Sequence, residues 1–158
     1  MKTLQEKFGK DNTHAVAQLR KITVNVGIGN EQANKEKVVE NVTKQLSSIT
    51  GQKPHVTAAR KSIANFKTRQ GDPVGVAVTL RGEQMWSFFD RLVSLTLAQV
   101  KDFSGVSRTA FDQVGNYSLG LAEQIVFPEI NYDDIDRVRG LQMVFTIRNS
   151  SGADESRE

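Results

Sequence analysis

KITVNVGIG, residues 21–29, is the stretch whose reading decides the fold. Ile22, Val24, Val26 and Ile28 alternate with Lys21, Thr23, Asn25 and Gly27, the period-two pattern of a strand that buries one face and leaves the other open. The second set contains no large apolar side chain and no carboxylate. On the N-terminal side, residues 1–20 are polar and weakly periodic, which predicts a loose or partly helical lead-in. On the C-terminal side the period changes. Val38, Val39, Val42, Leu46 and Ile49 recur at helical spacing and Gly51 stands where a helix C-cap is expected, so a helix is predicted over Glu31–Thr50.

The same two periods continue along the chain. Pro54–Ala58 reads as a short extended run and Gly71-Asp72-Pro73 as a turn. Val74, Val76, Val78 and Leu80 then alternate with Gly75, Ala77, Thr79 and Arg81 in a second half-buried strand. These two runs predict a long hairpin with a basic tip near Asn65–Pro73. Glu83–Val100 carries Met85, Trp86, Phe89, Leu92, Val93, Leu97 and Val100 at helical spacing, an amphipathic helix whose aromatic residues are expected to pack inward. Phe103-Ser104-Gly105 breaks it. Gly115–Leu121 (GNYSLGL) predicts a glycine-interrupted strand, Leu141, Met143, Phe145 and Ile147 a last strand, and Asn149–Glu158 a disordered tail. The fold class is therefore α+β: a mostly antiparallel sheet with helices on one face and the other face open. It forms a single domain over 21–148, since 158 residues are too few for two sizeable cores.

Charge is unevenly shared. Residues 1–71 hold 13 Lys and Arg against 5 Asp and Glu, whereas residues 72–158 hold 8 against 13. From Asn41 to Gly71 there is no acidic residue at all. Such an asymmetry points to a polyanionic partner on one side of the molecule. The chain has no cysteine, which excludes disulfides, thiol nucleophiles and cysteine metal clusters and suits a reducing cytoplasm. His14 and His55 have no partners at ligand spacing. The N-terminal segment MKTLQEKFGKDNTH lacks the apolar run of a signal peptide, and no segment approaches the roughly 18 apolar residues of a membrane span, so a cytoplasmic protein without a membrane partner is expected.

Catalytic constellations fare poorly. Gly27-Ile28-Gly29 lies between a strand and a helix as a dinucleotide fingerprint would, but Gln32 holds the third glycine position. Asp133, Asp134 and Asp136 resemble a Mg²⁺-binding cluster, yet Arg137 and Arg139 follow at once, which favours a paired, solvated turn. No serine sits in a nucleophile-elbow context. Neither an enzyme nor a cofactor is implied. A protein-only module is disfavoured too, because interface cores are enriched in aromatics and Met that the open face lacks.

A polyanion fits better. Lys21, Thr23 and Asn25 from the first strand, with Thr79 and Arg81 from the second, offer cations, hydroxyls and an amide to phosphates or 2′-OH groups. Lys53, His55 and Thr57 alternate in the connecting run and extend that surface. Lys67, Arg69 and Gln70 suit a finger that reaches phosphates.

The strings KITVNVGIGNE (21–31), TGQKPHVTAARKSIANFKTRQGDPVGVAVTLRGEQMWSFFDRL (50–92) and FDQVGNYSLGLAEQIVFPEINYDDIDRVRGL (111–141), with the closing strand, resemble the bacterial family of large-subunit ribosomal protein number five. That family is the 5S rRNA-binding protein of the central protuberance. The likeness runs in order over roughly residues 15–148. It implies no enzyme activity. It implies a protein of the large ribosomal subunit that docks 5S rRNA beside 23S rRNA and neighbouring large-subunit proteins. It further implies a finger over Ala64–Pro73 that reaches P-site tRNA, and a contact with a small-subunit head protein across an intersubunit bridge. By the resemblance, Asn25 in NVGIG, Gln52 in GQKP and Thr79 in VTLRG contact rRNA. Lys21, Thr23, Lys53, His55, Thr57, Arg60, Lys61 and Arg81 complete the expected rRNA surface, and Lys67, Arg69 and Gln70 the expected tRNA contact. The chain departs from the family's usual pattern in its short lead-in and its polar end, SSGADESRE.

Overall fold

Two periods in the sequence build two layers. The computed structural model of the protein describes residues 8–9, 12–29, 35–101, 103–131, 135–150 and 156. Five strands, β1 (Gln18–Gly27), β2 (His55–Ala58), β3 (Pro73–Leu80), β4 (Tyr117–Leu121) and β5 (Leu141–Arg148), form one sheet in the order β2-β3-β1-β5-β4. Every neighbouring pair is antiparallel. Helix α1 (Lys35–Thr50) lies over β3 and reaches β2, and α2 (Gly82–Arg91) lies against β1. Both helices sit on the same side as the apolar rows of the strands. The α+β architecture expected from the sequence is thus observed. No described helix is long and apolar enough to cross a membrane.

The core is the meeting of those faces. Ile22 opposes Leu80, Val24 opposes Val78 and Val26 opposes Val76, all buried together with Val42, Leu46 and Ile49 of α1 and Met85 and Phe88 of α2. On the other flank Met143 and Phe145 of β5 continue the row. α1 ends where the sequence predicts: Gly51 is left-handed (φ 69°) and donates its N–H to the Ser47 carbonyl at 2.8 Å. The expected start of α1, residues 31–34, lies outside the described residues, as does most of the tail expected to be disordered. Asn149, at the root of that tail, donates from Nδ2 to the His14 carbonyl at 2.6 Å and so ties the end of β5 to the segment before β1.

The structure corrects the reading of two elements, β1 and α2. β1 starts at Gln18 rather than Lys21, because a bulge interrupts the alternation: Leu19 opposes Ile147 while Lys21 opposes Thr146, leaving Arg20 as the extra residue. A strict period of two cannot see through a bulge. The second correction concerns α2, which does not run regularly to Val100. It opens into a π-helical turn over Leu92–Thr96, closed by the Leu97 N–H reaching back to the Leu92 carbonyl, and ends in a short α-helical turn over Leu97–Gln99. The wider turn shifts the phase of the apolar stripe. Leu92 and Thr96 are buried while Val93 and Leu95 stay exposed.

Trp86 also departs from the inward packing expected of it. It is 54% exposed and meets Phe89 edge-on at 6.2 Å, on the rim of an apolar groove of about 490 Å³ shared with Leu19, Phe111, Tyr117 and Phe145. Its neighbours follow expectation: Phe88 is buried and stacks on Phe127 at 6.2 Å, and Phe89 is packed against the core. The groove lies on the helix side of the sheet, away from the open face.

Candidate nucleic-acid interface

Strand register determines which side chains share the open face. Thr23 pairs with Thr79, Asn25 with Ala77 and Gly27 with Gly75, so the second rows of β1 and β3 lie side by side. β2 adds His55 opposite Ala77 and Thr57 opposite Gly75. Lys21, Thr23 and Asn25 are next to Thr146, Val144 and Gln142 of β5, beyond which Ser118 and Gly120 of β4 complete the surface. Among these described residues there is no carboxylate, and Val144 is the one larger apolar side chain. A surface of hydroxyls, amides and small residues permits close approach of a sugar–phosphate backbone and offers it donors and acceptors.

Gly75 shows how tightly that surface is made. A Cβ added there would lie 2.9 Å from the Val26 carbonyl oxygen and 3.0 Å from Thr57 Oγ1, with Asn25 Oδ1 at 3.6 Å. The missing side chain lets Asn25 and Thr57 converge from the two flanking strands. Gln52 reaches the far end of β3 from the loop after α1, its Nε2 donating to the Thr79 carbonyl at 3.3 Å. Lys53 is exposed beside it, and Arg81 is exposed where β3 passes into α2.

Arg60 and Lys61 lie elsewhere than the sheet face. They follow β2 into the finger between β2 and β3, which also carries Lys67, Arg69 and Gln70. The finger is held by main-chain bonds between Ile63 and Thr68 (3.0 and 3.2 Å) and by the Gly71 N–H to the Ala59 carbonyl at 3.0 Å. Within its tip, Ala64–Phe66 make one 3₁₀ turn and Lys67 takes a left-handed conformation (φ 49°). The hairpin and its basic tip are therefore where the sequence puts them.

Asp72 anchors the base of the finger. Its Oδ2 accepts the Arg69 N–H at 3.0 Å and pairs with Lys35 Nζ, at the start of α1, at 3.1 Å. The Arg69 amide first, and then Lys35, hold its carboxyl below the usual aspartate range. The unfolded chain has the ordinary value, near about 3.9, and the folded value is lower. The linkage is fully present above the ordinary value and is lost as pH falls through the folded one. Acid should loosen the finger base only below the ordinary aspartate range, and Asp72→Asn should abolish that step. Amide exchange at Arg69 followed against pH measures it; an identical profile in the variant would refute the anchor.

The acidic cluster takes a structural role as far as it is described. Asp136 binds Arg139 through two contacts, Nη1 to Oδ1 at 2.8 Å and Nη2 to Oδ2 at 3.0 Å, and that guanidinium holds its carboxyl below the usual range. Gln124, also buried, accepts the Arg139 N–H and donates to the Arg137 carbonyl at 2.8 Å, closing the loop before β5. Asp133 and Asp134 lie outside the described residues. Among the described residues no group of three or more His, Cys, Asp or Glu side chains is placed to hold a metal ion.

Sequence reasoning missed Gln142, Thr146, Ser118 and Gly120. The alternation of Leu141–Ile147 marked which residues of β5 face away from the core, but only the strand order puts β5 beside β1.

Family models match nearly the whole chain. One, described as Ribosomal protein L5, covers residues 12–69, and another, for the C-terminus of the same ribosomal family, covers 73–158. The chain belongs to the ribosomal protein L5 family. It is accordingly a structural constituent of the large ribosomal subunit, in the cytoplasm, with ribosomal RNA and other ribosomal proteins as its partners. Proteins of the L5 family are structural rather than enzymatic. The boundary between the two matches falls at the finger base, so the first supplies β1, α1 and β2 and the second β3, α2, β4 and β5.

Proposed function

We propose that residues 21–148 are the RNA-binding domain and that its open sheet face docks 5S rRNA beside 23S rRNA in the central protuberance. The observation that carries this reading is the face itself: Asn25 and Thr57 converge around a buried glycine and Thr23 pairs with Thr79 further along the same strands, with no carboxylate among them and with Lys21, Lys53 and Arg81 at its edges. Phosphates find cations at the rim, while 2′-OH groups and base edges find amides and hydroxyls within. The finger over 64–73 extends from the edge β2–β3 hairpin and reaches P-site tRNA through Lys67, Arg69 and Gln70. The acidic second half of the chain contacts a small-subunit head protein. The enzyme alternative has little support, since Asp136, the described member of its carboxylate cluster, is committed to Arg139.

Filter binding of 5S rRNA against a scrambled RNA of equal length tests the docking. Preference for 5S rRNA at physiological salt is expected, and equal affinity for the two would refute it. Thr79→Val probes one contact. The change is near-isosteric on a half-buried strand residue, so the fold should persist while one hydrogen-bonding group is lost. At about 0.5–1.5 kcal/mol per neutral hydrogen bond, affinity for 5S rRNA should fall roughly 2- to 12-fold. Unchanged affinity would remove Thr79 from the interface.

A further inference from the structure

The finger carries more than charge. Phe66 is 59% exposed at its tip, with Ile63 at 47% and Val74 at 38% beside it. These side chains floor a hollow of about 510 Å³ whose rim includes Arg60 and Lys61. Among the described residues the Phe66 ring stacks on no other aromatic ring, unlike Phe88, Phe89, Phe111 and Phe145. Nor is the ring on a loose loop. Thr68 Oγ1 donates to the Phe66 carbonyl at 3.1 Å, the Lys67 N–H closes onto the Ala64 carbonyl at 3.0 Å, and the Gln70 N–H binds Ser62 Oγ at 2.9 Å.

We propose that this hollow is a stacking subsite for an unpaired RNA base, with the Phe66 ring as platform and Arg60 and Lys61 as the phosphate contacts. The inference rests on reading the finger as an RNA contact and adds to it the chemical form of the RNA. Charge decides the occupant. No acidic residue lies between residues 41 and 71, and the nearest carboxylate beyond, Asp72, is engaged by Lys35 and the Arg69 amide. An apolar protein surface seated on Phe66 would have to cover or desolvate Arg60, Lys61, Lys67 and Arg69 without compensation, whereas protein interface cores are depleted of charge. A nucleotide suits both elements at once, its base on the ring and its phosphates on the cations. The base must be unpaired, because bases within a duplex keep their faces stacked inside it.

The test uses the full chain, deacylated tRNA, and a stem–loop RNA with 2-aminopurine at one loop position. Phe66→Ala should weaken binding to both RNAs roughly 5- to 150-fold, the range for one base–aromatic stack, and should abolish the fluorescence change of the loop base. Phe66→Trp should retain both signals. The slope of log affinity against log salt should be unchanged by Phe66→Ala and shallower in the Arg60→Gln, Lys61→Gln pair. Thermal midpoints within about 2 °C of the parent chain confirm that the exposed substitutions leave the fold intact. Phe66→Ala binding within twofold of the parent overturns the stacking subsite, and leaves the hollow to a protein partner, if Lys67→Gln with Arg69→Gln still weakens tRNA binding. If that pair too has no effect, the finger–RNA reading itself fails. Phe66→Leu binding as tightly as the parent, with the fluorescence change lost, also overturns stacking.

Discussion

Phe88→Ala should lower the stability of the domain by about 3–5 kcal/mol, the range for emptying a buried aromatic site. Phe88 is 1% exposed, stands among the largest fully buried side chains and stacks on Phe127, which joins α2 to the chain between β4 and β5. Its loss therefore removes apolar burial and an aromatic pair together. Domains are stable by only about 5–15 kcal/mol, so a fifth of the total or more would go. At roughly 2–4 °C per kcal/mol for a chain of this size, the thermal midpoint should fall by about 6–20 °C. Trp86→Ala, two residues earlier but half exposed, should cost far less. A loss below about 1 kcal/mol for Phe88→Ala would mean that the site collapses around the missing ring. Phe88→Leu separates cavity formation from loss of the aromatic pair.

The second large effect is on RNA affinity. Lys21, Lys53 and Arg81 edge the sheet face, and Arg60, Lys61, Lys67 and Arg69 line the finger. Each phosphate that one of them neutralises releases condensed counterions. With the three sheet-edge cations each on a 5S rRNA phosphate, raising salt from about 50 to 200 mM should reduce affinity for that RNA roughly 40-fold. Filter binding across that range measures the slope. Replacing Lys67 and Arg69 together by Gln should leave the slope for 5S rRNA nearly unchanged and flatten the slope for tRNA, because the finger stands apart from the sheet face. A slope near zero would mean that phosphate contacts are not what holds the RNA. A large loss of 5S rRNA affinity in the double variant would assign the finger to 5S rRNA instead.

Much of the candidate interface was legible because it lies on regular strands. Once Ile22, Val24 and Val26 are assigned to the core, Thr23 and Asn25 have nowhere else to point, and the same logic places Thr79 opposite Thr23. Gly51 and Gly71 likewise marked real left-handed turns. What escaped was non-local or aperiodic. The bulge at Arg20 and the π-turn of Leu92–Thr96 each change the residue count per repeat, so a pattern read at constant period loses its phase there. The contribution of Gln142 and Thr146 depends on which strand lies next to β1, a choice made by packing over the whole chain. The clamp of Gln124 on Arg139 joins residues fifteen apart in a loop with no period to read. Phe66 was passed over because its exposure, rather than its spacing, is what makes it notable.

The bulge in β1 has a consequence for how the chain tolerates insertion and deletion. Between Lys21 and Gly27, losing or gaining one residue would exchange the two sides of the strand, sending Val24 and Val26 onto the open face and Thr23 and Asn25 into the core. Arg20 is different. It is the residue without an opposite number on β5, so its deletion would leave Leu19 facing Ile147 and Lys21 facing Thr146, with every side chain still on its own side. β1 thus contains one dispensable position next to a run in which the count is inviolable, and length variation among related chains should collect at the former and avoid the latter.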